Sequence, residues 1–145
     1  MKVFTIGFTR KSAREFFDKL RRPGLVRLID VRLNNVSQLA GFSKREDLQF
    51  FCQAILSIEY LHLHELAPTQ AMLDEYKKER GRWSDYEAKF LGLMAERKVE
   101  ETVAREVIDG GCLLCSEPTP ENCHRRLVAE YLQRKWGNVE IEHIL

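Results

Sequence analysis

The chain lacks a dominant charge: 23 basic residues face 22 acidic ones over 145 positions, a net of +1. That balance gives no electrostatic case for a dedicated nucleic-acid binder, although a local basic patch is not excluded by it. It also lacks any apolar run long enough to span a membrane, and the opening MKVFTIGFTRKS is too short in apolar residues for a secretory signal. The expected location is the cytoplasm, with no membrane partner. Cys52, Cys112, Cys115 and Cys123 are then expected as reduced thiols rather than a disulfide framework. Neither a GxGxxG after the first strand nor a Walker-type loop is present, so the two common phosphate-binding signatures are absent. A phosphatase-type cysteine with arginine six positions on is excluded as well, because Glu121 stands there relative to Cys115. There are no repeats, no low-complexity segments and no linker, so residues 1–145 read as one domain, large enough for a real core.

What is present is an alternation of strand-like and helix-like segments. Lys2–Gly7 reads as a strand, and Ser12 with Glu15 as a capping box ahead of Ala13, Phe16, Phe17 and Leu20 at helical spacing. Pro23-Gly24 ends that helix, and Leu25–Arg32 is a second strand. After a polar loop through Asn34, Asn35 and Gly41, Ser43 with Glu46 opens a helix with Leu48, Phe51, Cys52 and Ile55 on its buried stripe. Ile58–Leu63 is a third strand. Pro68 and Thr69 lead into a helix through Tyr76, and a third capping box, Ser84 with Glu87, starts another through Phe90 and Met94 that continues past a kink to Gly110-Gly111. "CLLC" is a fourth strand, Pro120–Trp136 a last helix with Thr119 as N-cap, and Val139–Ile144 a fifth strand.

Such alternation predicts an α/β fold: a single three-layer domain with a mostly parallel five-stranded sheet and helices on both faces. Strand order 3-2-1-4-5 is favoured, with 2-1-3-4-5 second, and both put ligands at the carboxyl ends of the strands. Four strand ends carry polar or ionisable groups: Thr9 after the first, Asp30 and Arg32 at the second, His62, His64 and Glu65 at the third, and Cys115, Ser116 and Glu117 at the fourth. Their convergence on one edge predicts a pocket.

Asp30 and Arg32 share a strand face, so a structural ion pair and a ligand site are both open. Cys112 and Cys115 lie three apart in a strand and face opposite sides of the sheet, which excludes a thioredoxin-type pair and makes Cys112 a small buried hydrophobe. Cys123, placed in the first helical turn beside Arg125 and Arg126, has a setting that favours a thiolate. Cys123, Leu127, Tyr131 and Leu132 equally form a core stripe, and both readings stay open. The catalytic candidates are Cys123, Cys115 and His124, the last as acid or base. The ligand-binding candidates are Thr9, Asp30, Arg32, Glu65, Glu117 and Arg125, with the two arginines and a helix N-terminus suited to an anionic small molecule. A zinc site from Cys115, Cys123, His124 and His62 is conceivable, but the spacing matches no compact zinc arrangement, so no metal is expected. The sequence specifies no cofactor and no oligomeric state.

The ordered segments "TIGFT", "LIDVR", "GFS", "EYLHLHEL" and "LLCSEPTPENCHRR" resemble, nearly end to end, an uncharacterised family known as domain of unknown function 488. The resemblance implies a compact α/β domain without an established activity, and Asp30, Arg32, Cys115, Glu117, Cys123, His124 and Arg125 are the positions matching its motifs. Two positions depart from the family pattern, which has histidine where Phe8 stands and a glycine pair where Ala67-Pro68 stands. The Asp-Val-Arg strand is also similar to rhodanese-like domains, whose short cysteine-centred loop the turn after Cys115 does not resemble. Two functions follow as expectations: a pocket that binds or transforms a small anion, or an interaction module touching nucleic acid through "KKERGRW", residues 77–83.

Overall fold

The computed structural model describes residues 1–35 and 41–145, so part of the polar loop after the second strand lies outside the described residues. In chain order the elements are β1 (Lys2–Gly7), α1 (Ala13–Lys19), β2 (Arg27–Asp30), α2 (Arg45–Phe51), β3 (Glu59–His62), α3 (Gln70–Lys77) and α4 (Trp83–Arg97). Then come α5 (Val99–Thr102), α6 (Arg105–Ile108), β4 (Gly111–Cys115), α7 (His124–Trp136) and β5 (Glu140–His143). Short 3₁₀ turns at Gly41–Ser43 and His64–Leu66, and a π turn at Cys52–Leu56, complete the described regular structure.

Local sequence accounts for several of the boundaries. Ser12 Oγ accepts from the Glu15 amide at 3.1 Å, and Thr69 Oγ1 from the Met72 amide at 3.2 Å, each satisfying a first-turn donor. The other two capping boxes are not used: Lys44 and Arg82 are the N-cap residues of α2 and α4, without side-chain caps. Ser43 is instead taken into the buried 3₁₀ turn at Gly41–Ser43. The kink in the long helical passage falls at Lys98, which adopts a left-handed conformation (φ 51°) between α4 and α5.

The five strands are all parallel, as their alternation with helices requires, in the order β3-β2-β4-β1-β5. Both expected orders placed β4 outside the pair it enters. It lies between β2 and β1, and the reason is its composition. Gly-Cys-Leu-Leu-Cys carries no charged group and is buried throughout, whereas β3 and β5, with Glu59, Glu140 and Glu142, suit the edges. Gly111 makes the close approach to β2 feasible. A β-carbon there would stand 2.4 Å from Ile29 Cδ1 and 3.0 Å from the Ile108 carbonyl oxygen.

The pleat divides β4 between two cores. Leu113 and Cys115 face Phe90, Met94, Leu127, Val128 and Tyr131 of α4 and α7, and Cys112 and Leu114 face Phe16, Phe17, Leu20, Leu48 and Cys52 on the other side. The two cysteines of "CLLC" therefore point apart, as the strand period demands. With Gly7 beside Cys115, and Asp30 beside both Leu114 and His62, the carboxyl ends of β1 to β4 reach one edge together.

Replacing Gly111 by Ala is expected to lower stability by about 1–3 kcal/mol through overpacking. Adding Ile29→Val removes the nearer atom, so chemical denaturation of the double variant should recover part of the loss. Strict additivity of the two substitutions would show that the Ile29 contact is not the cause.

Candidate functional site

At the end of β2 the chain solves an electrostatic problem with its own residues. Asp30 and Arg32 are both buried, and the guanidinium grips the carboxylate with Nε to Oδ1 at 2.8 Å and Nη2 to Oδ2 at 2.7 Å. The Tyr60 hydroxyl donates to Oδ2 at 2.6 Å, and Nη2 also donates to the Ser43 carbonyl at 2.8 Å. Burial, together with the adjacent Asp30 carboxylate, pushes the Tyr60 phenol upward, so it stays a donor. The ion-pair reading of Asp30 and Arg32 is therefore correct, and Asp30 serves to brace Arg32. Yet Arg32 Nη1 has no partner among the described residues, and Arg32 lines a cavity. His62 Nε2 lies 2.8 Å from the Arg32 carbonyl, which can only accept, so that nitrogen carries the proton and His62 is occupied by the backbone.

The end of β4 carries the ionisable sulfur. Beyond Cys115 the chain turns through Pro118 and Pro120, and the Cys123 amide donates to the Pro120 carbonyl at 3.3 Å. The final helix thus starts at His124 with Cys123 as its N-cap, four residues later than the Thr119-Pro120 signal predicts, because that turn occupies the intervening residues. Gly7 is required here. A β-carbon would fall 1.6 Å from the Glu117 carbonyl oxygen, the same oxygen that accepts from Arg125 Nη1 at 2.7 Å.

His124 joins the two strand ends. Its Nε2 lies 2.7 Å from the Val31 carbonyl and must donate, which leaves Nδ1 facing Cys115 Sγ at 3.4 Å. The result is a sulfur, an imidazole and a backbone carbonyl that orients the ring. Cys123 donates its S–H to Cys115, and that bond, with the Ser116 amide and the Arg125 charge, holds the Cys115 thiol below its usual range despite burial. Cys123 goes the other way. Its burial and its role as donor to Cys115 push its thiol well up, outweighing His124 and Arg125. The expectation of a lowered Cys123 thiol is reversed, and the thiol held below its usual range is that of Cys115. Arg125 is fully buried, with Nε and Nη2 lacking partners and no ion pair among the described residues.

A cavity of about 200 Å³ opens over these groups. Arg32, Cys115, Cys123 and His124 line it together with Glu117, whose carboxylate pairs with Lys77 at 3.0 Å. Three aromatic rings that sequence reasoning did not assign to the site also line it. Trp83 stacks on Tyr86 with centroids 5.1 Å apart, and Tyr76 meets Trp83 at 5.5 Å. The available signal was the i, i+3 spacing of Trp83 and Tyr86 on one helix face. Thr9, Asp30, Glu65 and Arg125 are not among the lining residues: Thr9 donates its amide to Ser116, and Glu65 is exposed on the 3₁₀ turn.

The ligand atoms of Cys115, Cys123 and His124 lie within 4.8 Å of one another. Two sulfurs and an imidazole nitrogen are a donor set that could hold one soft or borderline cation such as Zn²⁺, and the Nε2 bond to Val31 is the outer contact such a ligand needs. His62, the fourth residue of the zinc set considered from sequence, is not in this group.

Truncating Asp30 to Ala leaves the Arg32 charge buried without its partner, and a loss of about 3–5 kcal/mol in denaturant unfolding is expected. An Asp30→Leu, Arg32→Met pair should recover most of it. A single-variant loss below about 1 kcal/mol, the level of an exposed pair, would contradict the buried geometry.

No curated protein and no solved structure matches the chain. No helix among the described residues is long and apolar enough to cross a membrane. A family pattern matches residues 12–132 of the 145, and the chain belongs to the family described as Domain of unknown function DUF488.

Proposed function

We propose that the cavity takes a small organic anion with a flat or apolar body, and that Cys115 is the nucleophile that acts on it. The observation that carries this reading is the meeting, in one cavity wall, of the Cys115–His124 pair with a buried arginine that has a spare donor. Arg32 is held by Asp30, which fixes its guanidinium at the cavity wall. The aromatic rings supply contact area for the rest of the molecule. Cys115 as thiolate attacks the electrophilic carbon or heteroatom, and His124, protonated at Nδ1, returns that proton to the leaving group. The Val31 carbonyl keeps the ring in the orientation this requires.

A nucleic-acid module was the other expectation, supported by residues 77–83. Within that basic run Lys77 is paired with Glu117 and Trp83 lines the cavity, which favours the pocket reading.

Two measurements test the reading. A thiol held below its usual pKa remains thiolate at lower pH, so iodoacetamide should label Cys115 ahead of the other cysteines, with a rate plateau displaced to lower pH. Cys52 and Cys112, both pushed up by burial, should label slowest in the native protein. His124→Asn should move the Cys115 profile towards that of a free thiol. Fastest labelling at Cys123 or Cys52, with no displaced profile at Cys115, would remove Cys115 as nucleophile.

In a Trp136→Phe background, Trp83 fluorescence reports the cavity, and benzoate and phenyl phosphate serve as probes. Arg32→Lys keeps the charge but removes the spare nitrogen, and about tenfold weaker binding is expected, the worth of one charge-assisted hydrogen bond. Equal affinity for an uncharged benzyl alcohol probe would show that the cavity does not select anions.

A further inference from the structure

Nucleophilic attack by Cys115 leaves Cys123 unused, yet its sulfur lies in the same cavity wall and within 4.8 Å of that of Cys115. We propose that Cys115 and Cys123 form a dithiol–disulfide couple that reduces small organic hydroperoxides bound in the cavity. The inference rests on the reading of Cys115 as the attacking sulfur and adds a second, resolving one.

The placement of the two sulfurs supports it. Cys115 ends the central strand β4, paired with Gly7 of β1 and directly following Leu114, which is paired with Asp30 of β2, so it supplies a fixed partner. Cys123 precedes α7 as an N-cap whose side chain makes no capping bond, after seven residues of turns and bends. Closing the remaining gap to an S–S bond of about 2.05 Å therefore costs no helical or sheet hydrogen bond made by the Cys123 side chain. A thiol kept only as core filler would need to touch Leu127 and Tyr131. It would not need to present its sulfur to a second sulfur at a cavity.

The cavity chooses the oxidant. Cys115 is 5% exposed beneath a space of about 200 Å³, which a disulfide carried on another protein cannot enter. A hydroperoxide presents its reactive oxygen at the tip of a slim group, and its organic body suits Tyr76, Trp83 and Tyr86. Cys115 Sγ forms a bond to the terminal peroxide oxygen, the O–O bond breaks, and the departing alkoxide takes the Nδ1 proton of His124 to become an alcohol. Arg32 stands by to stabilise negative charge on that oxygen. Cys115 is left as a sulfenic acid. Cys123 Sγ then attacks Cys115 Sγ, and the hydroxide that leaves takes the Cys123 proton as water. Two electrons have passed from the dithiol to the peroxide, and a small external thiol restores the pair by exchange.

The test uses the full chain, reduced and treated with one equivalent of cumene hydroperoxide or hydrogen peroxide before alkylation and peptide mapping. Wild type should give a Cys115–Cys123 disulfide, faster with cumene hydroperoxide. Cys123→Ser should instead accumulate a dimedone-reactive sulfenic acid at Cys115, and Cys115→Ser should not react. His124→Asn should slow the first step about 100-fold, the scale of one positioned proton donor. Sulfinic acid at Cys115 in wild type without disulfide, with Cys115 still the fastest thiol towards iodoacetamide, overturns the couple while leaving the proposed nucleophile standing. Loss of that fast labelling as well overturns both. Reaction with hydrogen peroxide alone overturns the organic substrate. Stoichiometric zinc on protein purified without chelator, abolished by Cys123→Ser, would make the two sulfurs ligands and end the proposal.

Discussion

Burying a guanidinium without an answering charge is costly, and the bond between Asp30 and Arg32 is the constraint from which the site grows. Both residues lie at the end of β2, where the strand is leaving the sheet. Pairing within the strand saves the chain from recruiting a distant carboxylate, and Tyr60 and the Ser43 carbonyl take up the remaining valences. The pair thereby fixes where β2, β3 and the turn before α2 meet. It also delivers a fully oriented cation to the cavity wall with one nitrogen uncommitted.

Arg125 shows the contrasting solution. It is buried to a greater degree, has no carboxylate among the described residues, and is bonded to the Glu117 carbonyl above Gly7. Its positive charge is felt by Cys115, whose thiol it helps to lower. One buried arginine is thus neutralised and positioned, and the other is left electrostatically open beside a sulfur.

Much of this was legible from local pattern. Ser12 and Thr69 cap the helices they precede, the pleat separates Cys112 from Cys115, and parallel pairing gathers the strand ends, because each follows from short-range periodicity. The strand order was not legible from local periodicity, since the central place of β4 follows from comparing its uncharged, buried composition with the charged edge strands β3 and β5, and from the room Gly111 leaves for Ile29 far away in the chain. The start of α7 was misplaced because Thr119-Pro120 has the right local chemistry for a cap, and only the turn that joins Pro120 to Cys123 overrides it. The aromatic lining was missed for a simpler reason: rings at helical spacing are the ordinary content of a core, and nothing local distinguishes a ring that packs from one that borders a cavity.

The carbonyls of Val31 and Arg32 lie beyond the last paired residue of β2, where no neighbouring strand among the described residues supplies a donor, and two imidazoles take that place. His124 reaches Val31 from one element and His62 reaches Arg32 from another. Each ring therefore belongs to the backbone framework through one nitrogen, and that of His124 turns its other nitrogen to Cys115. Removing the His124 imidazole would therefore also leave the buried Val31 carbonyl without its donor.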